Sequence, residues 1–138
     1  MVLSYGRKKA QPIGRAGGRG VSGSIEAALQ RARVGIVDLW LRHVHDVHNK
    51  HLALVDKLPE ERRHDRLCEL NALEQVVNVC QTVVVQDAWK RGQRLTVHGW
   101  VYGLKDGLVH DLGITVDRLE ELPSRYEAAL RALECRDC

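Results

Sequence analysis

The spacing of apolar residues divides the middle of the chain into a helical part and an extended part. Between Leu67 and Arg91 apolar residues recur every three or four positions, which predicts helix. From Leu95 the period becomes two, so alternate residues fall on opposite faces of a strand. The two predicted faces are Leu95, Val97, Gly99 and Val101 on one side, and Thr96, His98, Trp100 and Tyr102 on the other.

A turn follows this strand at residues 104–107, Leu-Lys-Asp-Gly. Asp-Gly is a strong hairpin signal, so the chain is expected to return antiparallel over Leu108–Leu112. The centre of the chain is therefore predicted to be a long helical segment that leads into a short hairpin at about residues 95–112.

Helical periodicity and end signals predict further helices on both sides. The predicted helices cover Ile25–Arg33, Ile36–Leu58, Glu60–Val79, a short helix from Thr82 to just before Gly92, and a last helix capped by Asp117. His48 and His51 share one face of the second helix. Two ligands do not make a closed zinc site, so we interpret these histidines as core and surface residues.

Composition narrows the class of protein. The 138 residues, 44% hydrophobic and 28% charged, are typical of one domain with a modest core. Because Phe is absent, that core must depend on Leu, Val, Ala and Trp. No apolar run is long enough to span a membrane, and no apolar segment of a secretory signal follows the start.

The four cysteines bear on the redox compartment of the protein. Cys68 and Cys80 lie within helical patterns and are expected to be buried apolar side chains. Cys135 and Cys138 form a terminal CxxC, which is a weak zinc signal without a second ligand pair, and a frayed tail is the simpler interpretation. This cysteine usage favours a reducing cytoplasm.

The first 24 residues differ from the rest of the chain. They contain five basic residues, no acidic residue and six Gly, whereas the remainder has sixteen basic and eighteen acidic residues. We expect this basic segment to be disordered. Three interpretations stay open: an arm that contacts nucleic acid through phosphates, an organelle transit peptide, or a start produced by a frameshift or misplaced initiation.

The central residues carry a family resemblance. The stretches VDLWLRHVHDVHNKH, LPEERRHDRLCELN, CELNALEQVVNV and TVVVQDAWKRGQRLTVHGWVYGLKDGLVHDLG resemble the C-terminal half of a β-class carbonic anhydrase, roughly from Ser22 to Asp117. The resemblance implies reversible hydration of carbon dioxide to bicarbonate. In that family two Cys and one His hold zinc, which activates a bound water, beside an Asp paired with an Arg.

The same alignment implies that this chain lacks the metal ligands. Arg19 stands at the family's His position and Ser22 at a Cys position, and no Cys-x-Asp-x-Arg occurs in the sequence. Arginine stays protonated and cannot ligate zinc. Leu39 also replaces the Asn of the family's Asp-Asn-Trp. We expect no zinc to be bound by this chain.

The resemblance further implies that the family's central parallel strands lie upstream and are missing. The expected fold is an α/β family remnant, mainly α-helical with one short hairpin. The expected organisation is a basic segment over 1–24, a partial carbonic anhydrase-like domain over 25–134 and a tail over 135–138. Tyr102 matches a tyrosine near a non-catalytic bicarbonate pocket of some members, but it is expected to be a hairpin side chain that packs on Trp100 or a helix.

These expectations favour a truncated carbonic anhydrase-like protein that is inactive alone. The alternative is a non-catalytic oligomerisation or interaction module derived from the family. Helices that have lost their sheet forfeit apolar burial, so the expected partner is a second copy or a full-length paralogue. No membrane partner is expected, and nucleic acid is the least favoured partner.

Overall fold

The structure, a computed structural model, describes residues 2–5, 38–103 and 106–136. The predicted helix Ile25–Arg33, the positions Arg19 and Ser22, and Cys138 lie outside the described residues. The elements are strands β1 (Val2–Tyr5), β2 (Leu95–Tyr102) and β3 (Val109–Val116), helices α1 (Asp38–Lys50), α2 (Leu52–Val55), α3 (Glu60–Cys80), α4 (Val83–Lys90) and α5 (Leu122–Cys135), and a 3-10 turn (Leu119–Glu121).

The chain divides into two compact units, residues 16–71 and residues 1–15 with 72–138, which are described separately. The division predicted from the sequence, 1–24, 25–134 and 135–138, stays a prediction. Residues 2–5 of the basic segment form strand β1 and are not disordered, while the remainder of that segment lies outside the described residues.

In the unit of residues 16–71, the helix predicted over Ile36–Leu58 is broken at His51. At His51 the backbone leaves the helical region, with φ −117° and ψ 23°, and the side chain is buried. The loop that follows α2 is held by Arg63, whose guanidinium donates to the carbonyls of Leu58 at 2.8 Å and Asp56 at 3.0 Å. The buried apolar residues of this unit are Val44, Val47, Val55, Leu58, Leu67 and Leu70.

In the other unit, a three-stranded sheet in the order β1-β2-β3 carries the core. Both strand pairings are antiparallel, and the predicted hairpin is confirmed. The second strand ends at Val116 and not at Leu112. The fully buried side chains of this unit are Leu73, Val76, Cys80, Val97, Leu112, Ile114, Val116 and Leu133.

Gly99 allows the sheet and helix α3 to approach each other closely. A Cβ atom at this position would collide with the Cγ2 of Ile114 and would lie 3.3 Å from the Cγ2 of Val76. The strands are also irregular here, since His98 pairs with Thr115 but Trp100 pairs with Asp111. Gly99 therefore lies opposite three residues of β3, and this bulge bends the strand.

The N-terminal ends of α4 and α5 can be compared with the sequence prediction. The helix predicted to start at Thr82 is present as α4, and Thr82 is its N-cap, because its hydroxyl accepts a bond from the amide of Val85 at 3.5 Å. The prediction that Asp117 caps the last helix is wrong. Arg118 precedes the 3-10 turn without a side-chain cap, and Asp117 instead accepts a bond from the Nε of Arg118 at 3.2 Å. Pro123 lies in the first turn of α5, where its missing amide proton is tolerated.

Candidate functional site

The outward face of the hairpin holds the one site residue of the sequence prediction that the structure describes, Tyr102. Its side chain is 59% exposed. Earlier on the same face of β2, the rings of His98 and Trp100 stack. Their centroids are 5.3 Å apart and the interplanar angle is 26°. The Nδ1 of His98 and the hydroxyl of Thr115 share a hydrogen bond of 3.0 Å across the strands. Tyr102 was predicted to pack on Trp100 or a helix, but the ring that stacks on Trp100 is His98, and Tyr102 is largely exposed.

The turn of the hairpin contains an acidic and basic pair. Asp106 accepts a bond from the amide of Leu108 at 3.0 Å and pairs with the Nε2 of His110 at 2.8 Å. The amide of Leu108, followed by the hydrogen bond and charge of His110, lowers the pKa of the Asp106 carboxyl. Both side chains lie in exposed positions, and Asp106 is the aspartate of the predicted Asp-Gly signal.

A shallow cleft lies elsewhere in the same unit. Its volume is about 210 Å³, and its lining residues are Gln86, Trp89, Lys90, Arg118, Leu119 and Glu120. Its two cations are paired with neighbouring carboxylates, Lys90 with Asp87 at 3.9 Å and Arg118 with Glu121 at 3.5 Å. This pairing leaves the cleft with little attraction for an anion, and Tyr102 is not among its lining residues.

The thiols of Cys68 and Cys80 are poor metal ligands. Burial, followed by the charges of Asp65 and Glu69, raises the pKa of Cys68 to about 12. Burial raises the pKa of Cys80 to about 11. Metal ligation requires the thiolate, which these environments disfavour at neutral pH. Within the described ranges no three His, Cys, Asp or Glu residues are grouped so that they could hold a metal ion, His48 and His51 included.

That Arg19 and Ser22 stand at the family's metal-ligand positions stays a prediction, because the structure does not describe their placement. At those positions neither residue would supply a neutral imidazole or a thiolate, so the predicted donor set would not fit zinc.

Sequence reasoning missed a buried polar contact between helices α3 and α5. The hydroxyl of Tyr126 donates to the carboxylate of Glu74, which is only 8% exposed. Helical spacing places Tyr126 on the apolar face of the last helix, and spacing alone gives no signal for a hydrogen-bond partner 52 residues away. The contact therefore could not be predicted from the local sequence pattern.

Across the part of the chain that the structure describes, no helix is long and apolar enough to cross a membrane.

Comparisons with known proteins agree on one family. A family model described as Carbonic anhydrase matches residues 18–109. A carbonic anhydrase of Emericella nidulans is 41% identical over 93 residues, which cover 67% of this chain and 41% of that protein.

Solved structures give the same result. A Coccomyxa β-carbonic anhydrase in complex with acetazolamide matches with a TM-score of 0.68 and 36% identity, covering 74% of this chain and 47% of that one. One of two tetrameric β-carbonic anhydrases from Sordaria macrospora matches with a TM-score of 0.61 and 27% identity, covering 68% of this chain and 48% of that one. The β-carbonic anhydrase CafA of Aspergillus fumigatus matches with a TM-score of 0.58 and 29% identity, covering 80% of this chain and 50% of that one. The chain spans half or less of the length of each of these relatives.

Proposed function

This chain belongs to the β-class carbonic anhydrase family, and from that premise we propose that it carries the family's scaffold without a working catalytic centre. The family reaction is the reversible, zinc-dependent hydration of carbon dioxide to bicarbonate. We infer that this chain does not carry out that reaction by itself.

The observation that carries the proposal is the donor set at the family's metal positions. The guanidinium of Arg19 stays protonated and offers no lone pair to a metal. The hydroxyl of Ser22 is a weak substitute for a thiolate. The thiols of Cys68 and Cys80 do not replace it, because burial raises the pKa of both groups.

What the chain retains is the supporting structure. Helix α3 and strands β2 and β3 supply buried apolar side chains, and Gly99 lets the helix and the sheet meet closely. The overlap with the Coccomyxa enzyme covers 74% of the chain at a TM-score of 0.68. This likeness supports a preserved scaffold and leaves the metal chemistry to residues that this sequence does not supply.

Zinc content and activity test the proposal together. The purified chain is loaded with excess zinc and dialysed, and its metal content and rate of carbon dioxide hydration are measured. We expect zinc well below one ion per chain and a hydration rate equal to that of buffer. A Cys68→Ser, Cys80→Ser variant serves as the control for zinc that the two thiols bind adventitiously. Stoichiometric zinc with hydration above the buffer rate would contradict the proposal.

A second candidate function is an interaction module, and exposed apolar residues on α4 support it. Val83 and Val84 are adjacent on the first turn of this helix and are 73% and 78% exposed. Exposed valines at this density are typical of a surface that is covered in an assembly. The Sordaria macrospora relatives are tetrameric. We propose that this surface binds a second copy of the chain or a full-length paralogue.

The mass of the assembly in solution tests this second candidate. Val83→Ser combined with Val84→Ser should lower the mass measured by light scattering toward that of one chain, because the apolar surface is lost. Val109→Ser is the matched control, since Val109 is also exposed, at 59%, but lies on the hairpin. Equal masses for all three proteins would count against α4 as the interface.

The proposed location is the cytoplasm. Cys68, Cys80 and Cys135 are free thiols, as expected for a reducing compartment.

A further inference from the structure

The edge of β2 that faces away from β3 is covered by a strand from outside the family match. Val2–Tyr5 pairs antiparallel with β2, and the partners run in register from Val2 with His98 to Tyr5 with Leu95. Residues 2–5 precede the matched region, 18–109, whereas residues 95–98 lie inside it. A segment outside the family match therefore continues the sheet at a strand that lies inside the match.

The free edge of β3 and the edge of β2 that β1 covers differ in how regular they are. Strand β3 is interrupted at Gly113, which has a φ of +75°, and its amide bonds to the Asp111 carboxylate at 2.8 Å. The bulge and this local bond spoil the regular row of donors and acceptors that a foreign strand would need. The stretch of β2 from Leu95 to His98 pairs with β1 without any such interruption.

We propose that β1 acts as an edge cap, which keeps the regular edge of β2 from pairing with β2 of a second copy of this chain. An uncovered edge strand presents unpaired backbone groups and is a template for association. Within the chain β1 satisfies those groups at Leu95–His98. Three basic residues, Arg7, Lys8 and Lys9, come two to four residues after the end of β1 in the sequence.

The antiparallel pattern supplies a matched pair of variants. Successive residues of such a strand direct their amides alternately toward and away from the partner. Of the neighbours Leu3 and Ser4, which lie opposite Val97 and Thr96, only one therefore donates its amide proton to β2. Proline removes that proton, so one of Leu3→Pro and Ser4→Pro should release β1 and the other should leave it paired.

Hydrogen exchange at β2 provides an internal reference. Val97 and His98 each lie between β1 and β3 partners, so one of their amides bonds toward β1 and the other toward β3. In the releasing variant of the full chain, exchange at the first amide should accelerate by about tenfold or more, while the second stays protected. Retained protection toward β3 shows that the hairpin is still folded.

The assembly mass completes the test. The releasing variant should show at least about twofold the mass of the unaltered chain at equal concentration, because two uncovered β2 edges can pair. The increase should persist in the Val83→Ser, Val84→Ser background, which separates this edge from the surface proposed on α4. If neither proline variant accelerates exchange, if both behave alike, or if exchange accelerates without an increase in mass, the proposal is overturned.

Discussion

The two faces of the hairpin share a backbone but differ in what their side chains do. On the inward face Val97, Leu112, Ile114 and Val116 are at most 2% exposed. On the outward face Tyr102 and Val109 are each 59% exposed. The inward face carries buried apolar side chains, while the outward face carries side chains that range from half-buried to exposed.

This difference separates scaffold from chemistry. A side chain of the inward face is fixed by close neighbours, as Gly99 shows by the collision that any Cβ would cause with Ile114. The outward contacts are pairwise, such as the stacking of His98 on Trp100 and the bond between Asp106 and His110. We conclude that stability depends on the inward face, and that substitutions on the outward face should have local effects.

The largest expected effect is that of Ile114→Ala. Ile114 is fully buried, so the substitution removes apolar contacts and leaves a cavity. We expect the free energy of unfolding in urea to fall by about 2–5 kcal/mol. Val109→Ala on the outward face of the same strand is the control and should change stability by less than about 0.5 kcal/mol. Equal losses for the two variants would contradict the distinction between the faces.

A smaller effect is expected for the hydroxyl of Tyr126, which bonds a buried carboxylate. Tyr126→Phe removes the bond to Glu74, a carboxylate that is 8% exposed, and should cost about 1–3 kcal/mol of unfolding free energy. Tyr102→Phe removes the same atom from an exposed ring and should be neutral in the same urea titration. A neutral result at both positions would show that the contact between α3 and α5 does not contribute to stability.

The sequence predicted the elements whose signals are local. The alternation over Leu95–Tyr102 predicted β2 correctly, and the short helix predicted to start at Thr82 is present as α4. The second strand was predicted over Leu108–Leu112, but it extends to Val116. The alternation continues through Ile114 and Val116, and Gly113 forms a bulge within the strand.

The misses have physical causes that a local pattern does not contain. The break at His51 depends on a backbone angle within an otherwise helical spacing. Asp117 has the residue type of a cap, but it bonds Arg118. The contact of Tyr126 with Glu74 and the pairing of β1 with β2 both join distant parts of the chain. Of the candidate site, Tyr102 was located on the correct strand, while the chemistry at Arg19 and Ser22 stays a prediction from residue type.

The smallest expected effect is on the pH dependence of the melting temperature, and it concerns Asp106 in the exposed turn. The pKa of Asp106 is lower in the folded chain than its ordinary value of 3.8, chiefly through the amide of Leu108. This carboxylate therefore stabilises the fold above that ordinary value, and the contribution is lost as the pH falls through the lowered folded pKa. Asp106→Asn should remove this contribution, so the melting temperature should fall less steeply with acidification below about pH 4.

His110→Gln provides the graded comparison for that turn. It removes the bond at 2.8 Å to Asp106 but keeps the amide of Leu108, which is the larger cause of the lowered pKa. Its melting profile should therefore lie between those of the unaltered chain and Asp106→Asn. If His110→Gln flattened the profile as fully as Asp106→Asn, the imidazole and not the backbone amide would be the main stabiliser of the carboxylate. If neither variant changed the profile, the acid sensitivity of this chain would have to arise from carboxylates away from the outward face.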